Sequence, residues 1–377
     1  IELLRLIDCF EKYGLYVGSV VITQYTGQPG ADLFKERLTN LGIDVYTHYI
    51  IEDYPSDIMN IVSEKGFGKN EYIKTTKPLI VVTAPGPGSG KMATCLSQLY
   101  HDQKRGVRAG YAKFETFPIW NLSLKHPINL AYEAATADLN DINMIDPYHL
   151  EHYGETVVSY NRDVEIFPVL KAMFEMIYGS SPYYSPTDMG VNMAGFCISD
   201  DEVCRDASKQ EIIRRYYDAL NEYAKGRINH SVVYRTELLM KQLKLTPEDR
   251  PVVTAAMKRA EETGFAAAAM ELSDGHIITG KTSDLLGPSA ALILNALKYL
   301  AGIEDPVHLI SPEAIEPIQK LKTNYLGSKN PRLHIDETLI ALSISAANDE
   351  RAQLALDQIP KLQNAQVHIC LLYTSDA

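Results

Sequence analysis

The chain has 377 residues, with Lys+Arg 36 against Asp+Glu 48 and a formal net charge of −12. A composition of 46% apolar and 22% charged residues excludes a largely disordered protein, and an acidic balance without a basic block speaks against a nucleic-acid binder. No apolar run approaches the roughly 20 residues of a membrane helix, and the mean hydropathy is −0.14, so a soluble protein of roughly two or three domains that handles small molecules is expected.

The five cysteines, Cys9, Cys95, Cys197, Cys204 and Cys370, are scattered and form no CxxC. That usage suits free thiols in a reducing, cytoplasmic setting and gives no structural zinc site. The chain opens on Ile1 inside an amphipathic pattern, and its last eight residues, CLLYTSDA, resemble a translated sequencing adaptor. The expectation is a chain truncated at both ends, with residues 370–377 a non-native tail.

In chain order, residues 1–13 read as a helix stopped by Gly14, and 15–25 as a buried strand. Pro29 opens a helix over 29–40, Gly42 closes it, and 43–51 is the next strand. The continuous apolar run PLIVVTA, 78–84, has the pattern of a central parallel strand. Strands interleaved with helices predict a doubly wound α/β sheet over residues 1–162. From 163 to 263 the period is helical, and 264–369 reads as a β-hairpin turning at Asp274-Gly275, a helix from Pro288, a strand over 307–310, then further helices.

Two places carry a glycine-and-lysine pattern of the phosphate-cradling kind, which needs a strand, a turn with inward N–H groups and a helix N-terminus behind it. The first is PGPGSGK, in which Gly86, Gly88, Ser89 and Gly90 form the turn and Lys91 supplies the charge. It departs from the usual motif, because Met92 stands where a magnesium-binding hydroxyl belongs; Thr94, two residues on, is the nearest substitute. The second, GHIITGKT at 275–282, fits the motif letter by letter, but its context is a hairpin turn followed by a β-branched strand, so the match is read as coincidence. A tight turn without a ligand is the alternative reading of the first.

After the first loop, GVRAGYAKFE (106–115) reads as a strand that brings Lys113 and Glu115 to its end. Strand, GxGK-like loop, helix and GYxK together resemble the opening of dethiobiotin synthetase and related P-loop ligases. That resemblance implies a second phosphate contact at Lys113, the alternative being a solvated lysine. The polar stretch 125–165 then offers Asp138 and Asp146 as magnesium ligands or general base, or else as members of a capped polar loop. His149 and His152 read as solvated or capping side chains, and Cys95 as a core residue.

Long strings, among them VTAPGPGSGKMATCLSQLYH, KHPINLAYEAATADLNDINMIDPYHLE, SPTDMGVNMAGF and PIQKLKTNYLGSKNPRLH, closely resemble the bacterial domain-of-unknown-function 1846 family over almost the whole chain. The resemblance implies a longer cytoplasmic protein with no established activity. Some members carry an ATP-dependent peptidase label, for which the sequence offers neither a metal-ligand helix nor a nucleophile elbow. It also implies a C-terminal domain of the cytidine-deaminase-like architecture; here the helix opens on Gly287-Pro288-Ser289-Ala290, without the Cys, His and Glu of a zinc deaminase.

The expected organisation is therefore a P-loop-like α/β domain, a helical middle domain and a zinc-free C-terminal α/β domain. The expected function is an ATP- or other nucleotide-dependent ligase or phosphotransferase acting on a small phosphorylated molecule, with magnesium, Lys113, Glu115, Asp138 and Asp146 at the reaction centre. A non-catalytic sensor of nucleotide or phosphometabolite is the alternative. A homo-oligomer is left open, and no nucleic-acid or membrane partner is expected.

Overall fold

The computed structural model describes residues 2–86 and 88–371. Ile1, Pro87 of the glycine loop and residues 372–377 of the expected foreign tail lie outside the described residues. The chain forms two compact units, Ile1–Ser208 and Lys209–Ala377.

Unit 1 runs α1 (Glu2–Lys12), β1 (Val20–Tyr25), α2 (Pro29–Asn40), β2 (Val45–Tyr49), α3 (Ile58–Ile61), α4 (Lys91–Lys104), β3 (Lys113–Phe114), α5 (Pro127–Ala135), β4 (Asn143–Ile145), α6 (Pro147–Tyr153), β5 (Val158–Tyr160), α7 (Asn161–Tyr178), α8 (Pro186–Met189) and β6 (Gly190–Val191). Helix α2 begins and ends where Pro29 and Gly42 predict, and it links β1 to β2 as a parallel pair. The other two sheets are also pairs, β3 with β6 parallel and β4 with β5 antiparallel. Helices α4 and α7 make the core: Leu96, Leu99 and Tyr100 pack against Phe167, Leu170, Met173, Phe174 and Ile177. Met92 and Tyr111 border the same cluster, so the start of α4 and the approach to β3 rest on one support.

The expected doubly wound sheet is not formed among the described residues. Residues 78–84 form no strand there, and Leu79 and Val81 are each 78% exposed. An apolar β-branched run becomes a strand only when another strand lies beside it, and strand propensity measures that packing more than any backbone preference. Similarly, the strand read over 106–115 shrinks to Lys113–Phe114.

Helix α9 (Asp201–Ala224) contains the division between the units. Unit 2 continues with α10 (His230–Gln242), α11 (Pro251–Thr263), β7 (Ala267–Glu271), β8 (Ile277–Lys281), α12 (Pro288–Ala301), α13 (Pro312–Lys320), α14 (Ile335–Ala346), α15 (Glu350–Leu356) and β9 (Gln366–Cys370). Its sheet has the order β8-β7-β9, antiparallel throughout. Ala268 and Met270 of β7 pack against Leu292 and Ala296 of α12, whereas Ala269 faces Val252 and Ala256 of α11. A strand covered by a helix on both faces has room for little beyond alanine.

Two local expectations are corrected here. Residues 307–310 form no strand, with Leu309 and Ile310 buried and His308 exposed, and Cys370, assigned to the foreign tail, pairs with Ala267 as part of β9. The hairpin 264–281 forms as read, with Gly275 at φ +79 in its turn. Gly280 has a packing role: a Cβ there would stand 2.2 Å from the backbone N of Leu292. The letter-perfect GHIITGKT is thus a hairpin whose glycines serve a turn and a helix contact.

Candidate functional site

The glycine loop is built onto the end of β1. Thr23 Oγ1 donates to the Ser89 carbonyl at 3.0 Å, and Gln24 Nε2 donates to the Gly88 carbonyl at 3.2 Å. Gly88 and Gly90 take φ +69 and +81, and a Cβ on Gly90 would meet the Thr23 side chain at 3.3 Å. Glycine at position 90 therefore answers both a left-handed backbone and a close neighbour. Gly90 caps the 14-residue helix α4, which starts on Lys91. The Lys91 ammonium folds back on the loop, donating to Gly86 O at 3.0 Å and to Ser89 Oγ at 3.3 Å, while Ser89 Oγ donates to Gly86 O at 2.8 Å. Thr94 is 2% exposed, one turn into the helix, so its buried hydroxyl does not take the place of the one Met92 lacks.

Lys113 and Glu115 do come together, and the structure adds two partners that the sequence reading missed. Lys113 Nζ lies 2.5 Å from Glu115 Oε1, 2.7 and 2.5 Å from the two oxygens of Asp163, and 2.5 Å from the Tyr160 hydroxyl. Burial alone would lower the Lys113 pKa, but Asp163 and Glu115 hold it above its ordinary value. Glu115 is 8% exposed; burial, with Asp163 adding to it against the pull of Lys113, pushes its carboxyl up to about 7. Burial also raises the Tyr160 hydroxyl. One lysine thus sits among two carboxylates and a phenol, a group that stores a proton near neutral pH. Tyr132 and Arg162 stand close by and both bond Asp141. The signal for Asp163 and Tyr160 was weak: YNRD joins a short strand to a helix start 47–50 residues beyond Lys113.

The acidic stretch does not converge on one point. Asp146 is fully buried as the N-cap of α6: one oxygen accepts from Tyr148 N and His149 N, each at 3.0 Å, the other from Thr187 N at 3.2 Å and Thr187 Oγ1 at 2.6 Å. Four donors leave this carboxylate no capacity for a metal or a substrate proton. Asp138 is exposed on a 3-10 turn. His149 Nδ1 lies 3.0 Å from Ser185 Oγ, and His152 stacks on Tyr184 with centroids 4.0 Å apart. Among the described residues no group of three or more His, Cys, Asp or Glu is placed to hold a metal ion. Of the residues expected for magnesium, Asp146 has both oxygens engaged and Asp138 is exposed. Cys95 is pushed up to about 11 by burial, as suits a core thiol. No helix among the described residues is long and apolar enough to cross a membrane.

Comparison with known proteins decides the family. A family model for the N-terminal domain of unknown function DUF1846 matches residues 1–244, and its C-terminal counterpart matches 248–377. The chain belongs to the DUF1846 family. It is 60% identical over 375 residues to a UPF0371 protein of Streptococcus thermophilus, covering 100% of this chain and 76% of that one. UPF0371 proteins of Streptococcus pneumoniae and Streptococcus pyogenes are 58% identical over the same span, with the same coverage. The family resemblance read from the sequence therefore holds along the chain.

Proposed function

We propose that unit 1 of this DUF1846 protein binds a phosphorylated small molecule, a nucleotide such as ATP first among them, on the loop Gly86–Lys91, in the manner of a P-loop. One observation carries the reading: the loop is clamped to the end of β1 by Thr23 and Gln24 and delivers Lys91 to the first position of a 14-residue helix. Free N–H groups of a first turn and an adjacent ammonium are what an anion needs. The oxygens of Gly86 and Ser89 that Lys91 now meets are the contacts a phosphate would replace.

The cluster of Lys113, Glu115, Tyr160 and Asp163 favours an enzyme, of ligase or phosphotransferase type. Glu115 would carry a proton, and Lys113 would offset charge on the reacting group. The alternative, a non-catalytic sensor, is favoured by Met92, by the burial of Thr94 and by the use of Asp146 as a cap. Calorimetric titration of ATP, ADP and GTP, with and without magnesium, on the chain and on Lys91→Ala tests this. Binding to the wild type with at least tenfold loss in Lys91→Ala is expected. No binding by any of the three refutes the reading; turnover selects the enzyme, and binding without turnover the sensor.

A further inference from the structure

The pairing of β1 with β2 is interrupted at one point. Ile22 faces Thr47 and Tyr25 faces Tyr49, so Thr23 and Gln24 stand opposite His48 alone. Such a bulge re-aims side chains and sharpens the local twist. Gln24 takes φ +54 there, a conformation that a non-glycine residue keeps only when its surroundings hold it. They do so on two sides: its amide donates to Gly88 O, and its own carbonyl accepts from Gln28 Nε2 at 3.2 Å. Gln28 Oε1 in turn accepts from Thr26 N at 2.9 Å. The bulge therefore directs Gln24 at the glycine loop and sends Tyr25 past it.

Beyond the bulge, at the carboxyl ends of both strands, is an open cavity of about 510 Å³, lined chiefly by Tyr25, Thr26, Gly27, Tyr49, Glu52 and Lys69. Carboxyl ends of parallel strands are where open α/β sheets take their ligands, and the volume is in the range of small-molecule sites. The Tyr25 and Tyr49 rings are 5.7 Å apart at 69°, a corner that leaves ring face available instead of a closed stack. Lys69 Nζ stands 4.6 Å from the centre of the Tyr49 ring, and Tyr25 OH donates to Asp32 at 2.5 Å.

We infer that this cavity takes the planar aromatic part of the ligand whose phosphate lies on the glycine loop, which makes that ligand a nucleotide and not a phosphorylated sugar or polyol. The inference rests on the phosphate reading above. A nucleobase offers a flat face to tyrosine, acceptors to the Lys69 ammonium and an amine or ring N–H to the Glu52 carboxylate; an aliphatic metabolite offers no such face. Gln24 touches the loop through its side chain and adjoins the cavity wall through its neighbour Tyr25.

Titration of ATP, GTP and inorganic tripolyphosphate, on the wild-type chain and on Tyr49→Ala and Lys69→Ala, tests it. At least one purine nucleotide is expected to bind about tenfold or more tightly than tripolyphosphate, in line with one base–aromatic stack. Tyr49→Ala is expected to bring that nucleotide down to the tripolyphosphate level while tripolyphosphate is unchanged. Lys69→Ala, at an exposed position, covers the case of a Tyr49→Ala chain that fails to fold, with a loss of about threefold for the nucleotide only. Equal affinity of nucleotides and tripolyphosphate in the wild type overturns the cavity assignment and leaves the phosphate reading standing. Absence of binding by all three overturns both.

Discussion

The buried cluster around Lys113 gives the most direct test of the physical reasoning. Glu115 goes from an ordinary value of 4.5 to about 7 in the folded chain, because burial disfavours its charge and Asp163 competes for the same lysine. Between those two values the folded protein holds a proton that the unfolded chain has released. Stability therefore falls as pH rises through that window: this contribution is fully present below about 4.5 and is lost by about pH 7 or just above. At about 1.36 kcal/mol per pH unit the whole change is roughly 3 kcal/mol. Glu115→Gln keeps the neutral form's shape and cannot ionise, so its stability should not follow this part of the pH curve.

The assay is urea unfolding at pH 5, 6, 7 and 8, followed by fluorescence of Trp120. This is the single tryptophan of the chain and it lies in unit 1, so the signal reports on the unit that holds the cluster. Other groups titrate in the same window, His48 and His126 among them with pKa values lowered by burial, but they are common to both proteins and cancel in the difference. Wild type should lose roughly 2–3 kcal/mol relative to Glu115→Gln between pH 5 and 8. Parallel pH curves for the two proteins would refute the assignment of a proton to this cluster.

Three further outcomes are expected. Asp146→Ala removes a buried acceptor from four donors and should destabilise unit 1 by about 2–4 kcal/mol in the same fluorescence assay, with ligand affinity of the folded protein unchanged. Gly280→Ala forces a Cβ to 2.2 Å from the Leu292 backbone, so hydrogen exchange at β7 and β8 should accelerate as unit 2 loses about 1–3 kcal/mol or more. Lys281→Ala should leave nucleotide affinity at the wild-type level in the titration that Lys91→Ala weakens at least tenfold, because Lys281 ends a hairpin strand with its ammonium 5.4 Å from the Phe265 ring.

What was legible in the sequence was local. Pro29 and Gly42 bound α2, Asp274-Gly275 turn the hairpin, and Pro288 starts α12, because each acts through the backbone of its own segment. Asp146 was legible too, the capped polar loop being one of its two readings: Asp-Pro followed seven residues later by Gly is a helix from cap to cap. What was not legible depends on partners far along the chain. Residues 78–84 have the composition of a central strand and lack a neighbouring one, while β9 became a strand because β7 offered it an edge. The partners of Lys113 lie 47 and 50 residues away, and no spacing rule connects them.

That contrast also bears on the two glycine motifs. A pattern of letters records spacing, whereas a phosphate site needs donors left unpaired at one place. In GHIITGKT residues 277–281 form an extended strand paired with β7, whose N–H groups alternate in direction and do not converge on one point, and Gly280 admits a helix. In PGPGSGK the described turn makes side-chain contacts with β1 and opens a helix, whose first-turn N–H groups have no partner within the helix itself. The departure at Met92 then has a physical meaning. With Thr94 buried and Asp146 saturated, the proposed phosphate would be neutralised by Lys91 and the backbone rather than by a metal on these two residues. On the proposed reading the affinity is expected not to depend on magnesium, and a strict magnesium requirement in the titration would refute this account of Met92.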